Sequence, residues 1–355
     1  MLAVLVVLLV AGLAGAFSGS GTPAAQPGST VSPATKTTTS PAAVHSAATT
    51  TSGAPTPTIA TTTTASAKPA GPGPVHAVTA TTSTWRLPAP LSRAVVLPVA
   101  GGLELLGGLL NGDHSSPDVL RVALPAGTVT ADGKLATPVH DAAGAAYQGG
   151  LYVYAGGAAS EVAAVQKAVP GGTSVTAGAL PEPRSDLVTV QVGGKVVAIG
   201  GYNGHRTLAD ILVSTDGVHF TVLAKLPVPV RYPAAVVHGG QIWVYGGDVG
   251  LKPVDVIQRI DLTAGTATVV GHLPEPISHQ AGLVFGSSVW LAGGVTPSGA
   301  SSRLWRSDDG LAFVSGGALP APRSDAGVAM LNGVGYLVGG EGAGRFDTVV
   351  AVKPG

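Results

Sequence analysis

Between residues 87 and 340 one pattern recurs six times: a Leu-x-x-Pro segment, then short apolar runs closed by a Gly-Gly pair. The segments start at Leu87, Leu135, Leu180, Leu226, Leu273 and Leu319, and the pairs fall at Gly107-Gly108, Gly156-Gly157, Gly200-Gly201, Gly246-Gly247, Gly293-Gly294 and Gly339-Gly340. Successive pairs are 49, 44, 46, 47 and 46 residues apart, and the Leu-to-Gly distances are 20, 21, 20, 20, 20 and 20. So regular a period marks a repeat architecture, in which no unit buries its own faces and neighbours must stack.

Each unit reads as four short strands. In the fourth, YPAAVVHGGQIWVYGG supplies two strands joined at His238-Gly239-Gly240, and DVIQRIDLTAGTATVVGHLP two more joined near Ala264-Gly265. Ser160 to Val169 (SEVAAVQKAV) has helical propensity but occupies the place of a third strand, and the repeat overrules it. Six four-stranded antiparallel sheets then stack as blades around an axis. The last unit ends at FDTVVAVKPG after its third strand, while VTATTSTWR (Val78 to Arg86) precedes the first repeat. The predicted fold is therefore an all-β six-bladed propeller whose N-terminal strand completes the last blade and hides an open edge.

Composition narrows the rest. With no Cys, disulfides and thiolate sites are excluded; with 19 basic and 19 acidic residues and no basic block, nucleic acid is not an expected partner. Residues Met1 to Phe17 are uncharged and apolar, with small residues at Ala14, Gly15, Ala16 and Ser18, and read as a signal peptide or a membrane anchor. Residues 18–76 are Thr, Ser, Ala, Pro and Gly with Lys36 and Lys68, a composition for a disordered linker. Residues 77–355 form the folded domain.

Residues 78–355 resemble a kelch-repeat β-propeller, of the six-bladed, galactose-oxidase-like superfamily. The resemblance rests on the double Gly, on aromatics just before it (Tyr154, Trp243, Tyr245, Trp290, Tyr336), on PEPRSD and PAPRSD, and on GGYNGH from Gly200 to His205. Departures are Phe220 and Phe313 where the family has Trp, Trp85 lying close to its LPAP, and a first unit, AGGLELLGG, without an aromatic. Ser214 to Phe220 and Ser307 to Phe313 resemble the Asp-box hairpins of sialidase propellers, a structural turn.

The resemblance implies a ligand face built from the loop entering strand one and the loop leaving strand two. The sixth residue beyond each Leu is Arg93, Asp141, Asp186, Tyr232, His279 and Asp325; beside these stand His140, Arg184, Arg231 and Arg323, and the second loops add Asn203 and His205. These twelve are the candidate ligand-binding residues, a polar mouth whose Arg forks grip a carboxylate, a sugar or an acidic peptide. The competing reading has each Arg fastening blade to blade, or pairing locally as Arg184 with Asp186. No His pair has metal-ligand spacing, so no metal or other cofactor is expected, and a Cys-dependent copper centre is excluded. No nucleophile elbow or phosphate loop occurs and no catalytic residue is assigned, although Asp141, Asp186 and Asp325 leave a carboxylate-pair glycosidase open. The expected function is a non-enzymatic binding domain, membrane-anchored facing outward or secreted, recognising a protein or glycan; the alternative is an exported enzyme resembling kelch-type sialic acid epimerases or mutarotases.

Overall fold

The computed structural model describes residues 72–355; the 1–17 segment and all but the end of the 18–76 segment lie outside the described residues. Among the described residues there is no helix, and so none long and apolar enough to cross a membrane. Six antiparallel meanders follow one another along the chain. The first comprises Val95–Val99, Gly102–Leu106, Asp118–Ala123 and Thr128–Lys134, with Gly172–Thr173 added in parallel; the second Ala143–Tyr147, Gly150–Gly157, Glu161–Lys167 and Val175–Ala179. The third comprises Val188–Val192, Lys195–Ile199, Asp210–Ser214 and Thr221–Lys225, and the fourth Ala234–His238, Gln241–Tyr245, Val256–Asp261 and Thr266–His272. The fifth is Ala281–Phe285, Ser288–Ala292, Arg303–Ser307 and Val314–Ala318. The sixth is Gly327–Leu331, Val334–Val338, Thr348–Pro354 and, from the other end of the chain, Val78–Arg86. Val78 lies opposite Pro354 and Thr82 opposite Val350. Glu161–Lys167 is a strand, as the repeat required against its local propensity.

Second strands such as Ser288–Ala292 are buried along their whole length, which is why they read as continuous apolar runs, whereas fourth strands such as Thr221–Lys225 are largely exposed. Apolar cores lie between consecutive sheets: Val197 and Ile199 of the third meet Ile242 and Val244 of the fourth, Trp290 of the fifth meets Leu337 and Val350 of the sixth, and Leu103 and Leu105 of the first meet Val338 and Val349 of the sixth. Each such side chain, fully buried, contributes about 1.5–3 kcal/mol. Phe220 packs edge-on against Tyr154, and Phe313 against Tyr245, at 5.2 and 5.3 Å, each reaching the preceding sheet. In both Asp-box hairpins the Asp accepts two backbone N–H bonds of 2.8 Å, to Asp216 from Val218 and His219 and to Asp309 from Leu311 and Ala312, so these turns are structural.

The glycine pairs join sheets to one another. The second glycine of each pair donates its N–H to the carbonyl of the fourth residue beyond the next Leu: Gly108 to Val139, Gly201 to Val230, Gly247 to Ile277 and Gly294 to Arg323, and finally Gly340 back to Leu91 (2.7–3.0 Å). The first glycine takes φ between +56° and +66°, and a Cβ there meets that same carbonyl, at 1.9 Å from the Leu91 oxygen for Gly339. In the second unit these roles fall to Ala155 (φ +59°) and Gly156, whose N–H bonds to Arg184. The turn of this unit therefore lies at Ala155-Gly156 and not at Gly156-Gly157, and the Leu-to-turn distance is 20 in every unit.

Gly73 to His76, placed by composition in the linker, lie against the hairpin at Gly286. The Ser287 amide donates to the Gly73 carbonyl (3.1 Å), the Val75 amide to Ser288 Oγ (3.0 Å), and His76 faces Asp308 at 3.4 Å. This hairpin lies at the end of strand Ala281–Phe285 remote from His279.

Candidate functional site

The sixth residue beyond each Leu stands in the left-handed region in all six units: Arg93 (φ 57°), Asp141 (52°), Asp186 (62°), Tyr232 (52°), His279 (57°) and Asp325 (55°). Their main chains form a cycle. Each N–H donates to the carbonyl of the same position in the preceding unit, Asp141 to Arg93, Asp186 to Asp141, Tyr232 to Asp186, His279 to Tyr232 and Asp325 to His279, and Arg93 donates to Asp325 (2.8–3.2 Å). The repeat imposes this conformation, at a cost of about 1–2 kcal/mol for a residue with a Cβ. A chain with 52 glycines uses none of them here.

The six side chains interlock. Arg93 reaches Asp141 at 3.0 Å, Glu341 at 3.1 Å and Asp325 at 3.5 Å, and its Nη1 donates to the Tyr232 hydroxyl at 3.1 Å. Tyr232 donates in turn to Asp141 (3.1 Å) and stacks on His279 with ring centroids 3.8 Å apart. Arg231 lies 2.7 Å from the Asp186 carboxylate and over the Tyr202 ring. Serines brace the rim: Ser324 Oγ donates to Asp325 (2.6 Å), and Ser278 Oγ lies 2.8 Å from His279 Nδ1.

Two cavities share Arg93, Asp141, Asp186 and Tyr232. One, of about 620 Å³, is a bowl walled by loops bearing His140, Glu161, Tyr202, Asn203, His205 and Arg231. The other, of about 340 Å³, runs along the first strands and adds His279 and Asp325 at one end, with Val95, Val188, Ala234 and Met330 in its wall. Burial, reinforced by Asp141 and opposed by Arg93, pushes Asp325 up to about 7, and burial with the charge of Asp141 pushes Asp186 up to about 7. Burial holds His279 down at about 4, which leaves the imidazole neutral at pH 7. For Arg93, burial works against the charge, but Asp141 and Asp325 outweigh it and the guanidinium is raised above its ordinary value.

A family profile for the kelch motif matches residues 183–213 and 229–266, stretches that contain Asp186 and Tyr232. No curated protein matches the sequence. A solved structure titled "Structure of YjhT" superposes with a TM-score of 0.65 at 16% identity, over 75% of this chain and 96% of that one. The fold is a kelch-type β-propeller. At that identity the likeness extends to the fold alone.

On this kelch-type scaffold ten of the twelve candidate residues line one cavity or the other: Arg93, His140, Asp141, Asp186, Asn203, His205, Arg231, Tyr232, His279 and Asp325. Asn203 is partly occupied with its own loop, its Oδ1 accepting from the His205 and Arg206 amides. Arg184 and Arg323 are not at the mouth. Both are buried, 0% and 4% exposed, and donate to the first-glycine carbonyl of their own unit, Gly200 and Gly339. Arg184 also meets Asp210 at 3.4 Å, not Asp186, and Arg323 bonds Thr348 Oγ1 at 2.7 Å, so each ties its entrance loop to its own sheet. The reason is positional: the fourth residue beyond Leu points inward, where other units carry Leu91, Val139, Val230 and Ile277. Glu161 also lines the bowl although no repeat position marks it, whereas the bracing serines recur in the sequence at the fifth residue beyond Leu (Ser92, Ser185, Ser278, Ser324).

Proposed function

We propose that residues 77–355 form a closed six-bladed propeller whose axial mouth binds a glycan, and that residues 1–17 and 18–76 serve as export signal or anchor and as stalk. Closure is supported by the two cycles of backbone bonds, by the core between sixth and first sheets, and by the pairing of Val78–Arg86 with Thr348–Pro354. The observation that carries the binding reading is the ring. Six large polar side chains are kept at positions where glycine relieves strain, and they offer donors (Arg93, Tyr232), acceptors (Asp141, Asp186, Asp325) and a stacked aromatic pair around open cavities. That mixture suits a polyhydroxylated ligand, bound by a few convergent polar groups beside a ring face. Gly73 to His76 meet the domain at the Gly286 hairpin, at the end of the fifth sheet remote from His279. The test is a glycan array probed with the full chain. Retained glycans should be lost, by tenfold or more in affinity, from Arg93→Ala and Tyr232→Ala but not from Lys353→Ala; an array without a retained glycan overturns the reading.

A second reading, a carbohydrate-active enzyme like the kelch-type sialic acid epimerases or mutarotases, draws on Asp186 and Asp325 at about 7 beside a neutral His279. Carboxyls poised near the working pH are suited to proton transfer. Accelerated anomer interconversion of a free sugar, followed by NMR and abolished in Asp325→Asn, distinguishes it from simple binding.

A further inference from the structure

The mouth has more negative than positive groups. Across the two cavities the titratable lining comprises four carboxylates, Asp141, Glu161, Asp186 and Asp325, against two guanidiniums, Arg93 and Arg231, and three imidazoles, His140, His205 and His279, the last held neutral at pH 7 by burial. Both guanidiniums are already engaged: Arg231 faces Asp186 at 2.7 Å, and Arg93 is divided among Asp141, Asp325 and Glu341. Arg231 Nε has no hydrogen-bond partner, and the more numerous carboxylates have capacity to spare as well. Asp325 Oδ1 accepts no hydrogen bond, its nearest cationic group being Arg93 Nε at 3.5 Å and the neutral His279 Nε2 lying at 3.8 Å, while Ser324 serves only Oδ2. Asp186 is 3% exposed, and its Oδ2 is ion-paired with Arg231 at 2.7 Å without a well-aligned hydrogen bond.

A buried carboxylate without full hydrogen bonding is costly, and a cation supplied by the ligand removes that cost. We infer that the glycan taken up by this mouth carries a protonated primary amine, as an amino-sugar residue does, and that the Asp186 and Asp325 carboxylates receive the ammonium. The raised proton affinity of both groups has burial as its chief cause, the same cost that a bound cation offsets. The inference rests on the glycan-binding reading and narrows it from polyhydroxylated ligands in general to cationic ones.

The experiment uses the full chain at pH 7.0 on an array of matched pairs, each oligosaccharide present with free amino groups and with the same groups N-acetylated, together with neutral and sialylated glycans. Calorimetry then follows on the best pair. The expected result is at least tenfold tighter binding of the free amine than of its acetylated twin, with the preference reduced to less than threefold in Asp325→Asn and in Asp186→Asn. The wild-type pair comparison stands even where a variant fails to fold. Equal or tighter binding of the acetylated twin, or capture of neutral or sialylated glycans alone, overturns the cationic-ligand inference and leaves glycan binding in place. Capture of nothing overturns both.

Discussion

The Arg93 amide donates to the Asp325 carbonyl at 2.8 Å while the Arg93 Nε lies 3.5 Å from the Asp325 carboxylate, so the entrance loops of the first and last units are joined through main chain and side chain together. The residues are more than two hundred positions apart in sequence. Holding them there stabilises the ring and sets the charge of the mouth, and the two effects can be tested separately.

The strand Val78–Arg86 covers the exposed edge of Thr348–Pro354, and the core at Trp290 and Val350 receives Val78 and Ala80. A chain starting at Leu87 is expected to lose cooperative thermal unfolding or to unfold at least 10 °C lower, and to self-associate through the bared edge, whereas one starting at Gly73 keeps the full transition. Calorimetry with light scattering on both chains reads the difference.

At Gly339 a Cβ falls 1.9 Å from the Leu91 carbonyl oxygen with φ at +61°. Gly339→Ala is expected to cost more than about 2 kcal/mol, strain and collision combined. Gly344→Ala, with nothing within 4 Å and ordinary φ, should be within about 0.5 kcal/mol of wild type, and Ala155→Gly should relieve left-handed strain. Urea unfolding of the three variants ranks them.

Asp325, pushed up to about 7 in the fold against an ordinary value of 3.8, makes the native state bind more protons than the unfolded chain between those values. Stability is therefore higher at pH 5 and falls as pH rises through 7. Asp325→Asn should flatten that slope and unfold at higher denaturant than wild type at pH 8. Glu104, 1% exposed and raised to about 7 by burial and by Asp132, has the same sign in the core of the first sheet, so Glu104→Gln should flatten the profile without touching the mouth.

His279 acts in the opposite direction. Burial holds it below its ordinary 6.5, so between about 4 and 6.5 the unfolded chain binds the extra proton and stability is lost as pH falls through that window. His279→Gln should remove this loss, seen as a smaller difference between unfolding midpoints at pH 4.5 and 7.

For Arg184 and Arg323, Pro-Arg at an entrance is the same sequence signal whether the guanidinium points at the axis or into the sheet. Removing a buried, bonded guanidinium strands the Gly200 carbonyl and leaves Asp210 to Lys225 alone, and Arg184→Ala is expected to destabilise by about 3 kcal/mol. If the protein instead tolerates the change within about 1 kcal/mol, the structural role assigned to Arg184 is wrong.

The spacing of Leu, Pro and Gly determined by itself that the chain builds repeated four-stranded sheets and which residue of each unit stands at the entrance, because turn geometry and strand length are local properties written at a fixed offset. Only the tertiary structure decided that Ala155 takes the place of a glycine, that Arg184 and Arg323 turn inward while Arg93 and Arg231 face the mouth, and that one guanidinium is divided among three carboxylates. Those outcomes depend on distances between units far apart in the chain, where burial and the sum of neighbouring charges set orientation and proton affinity, and no local spacing encodes them.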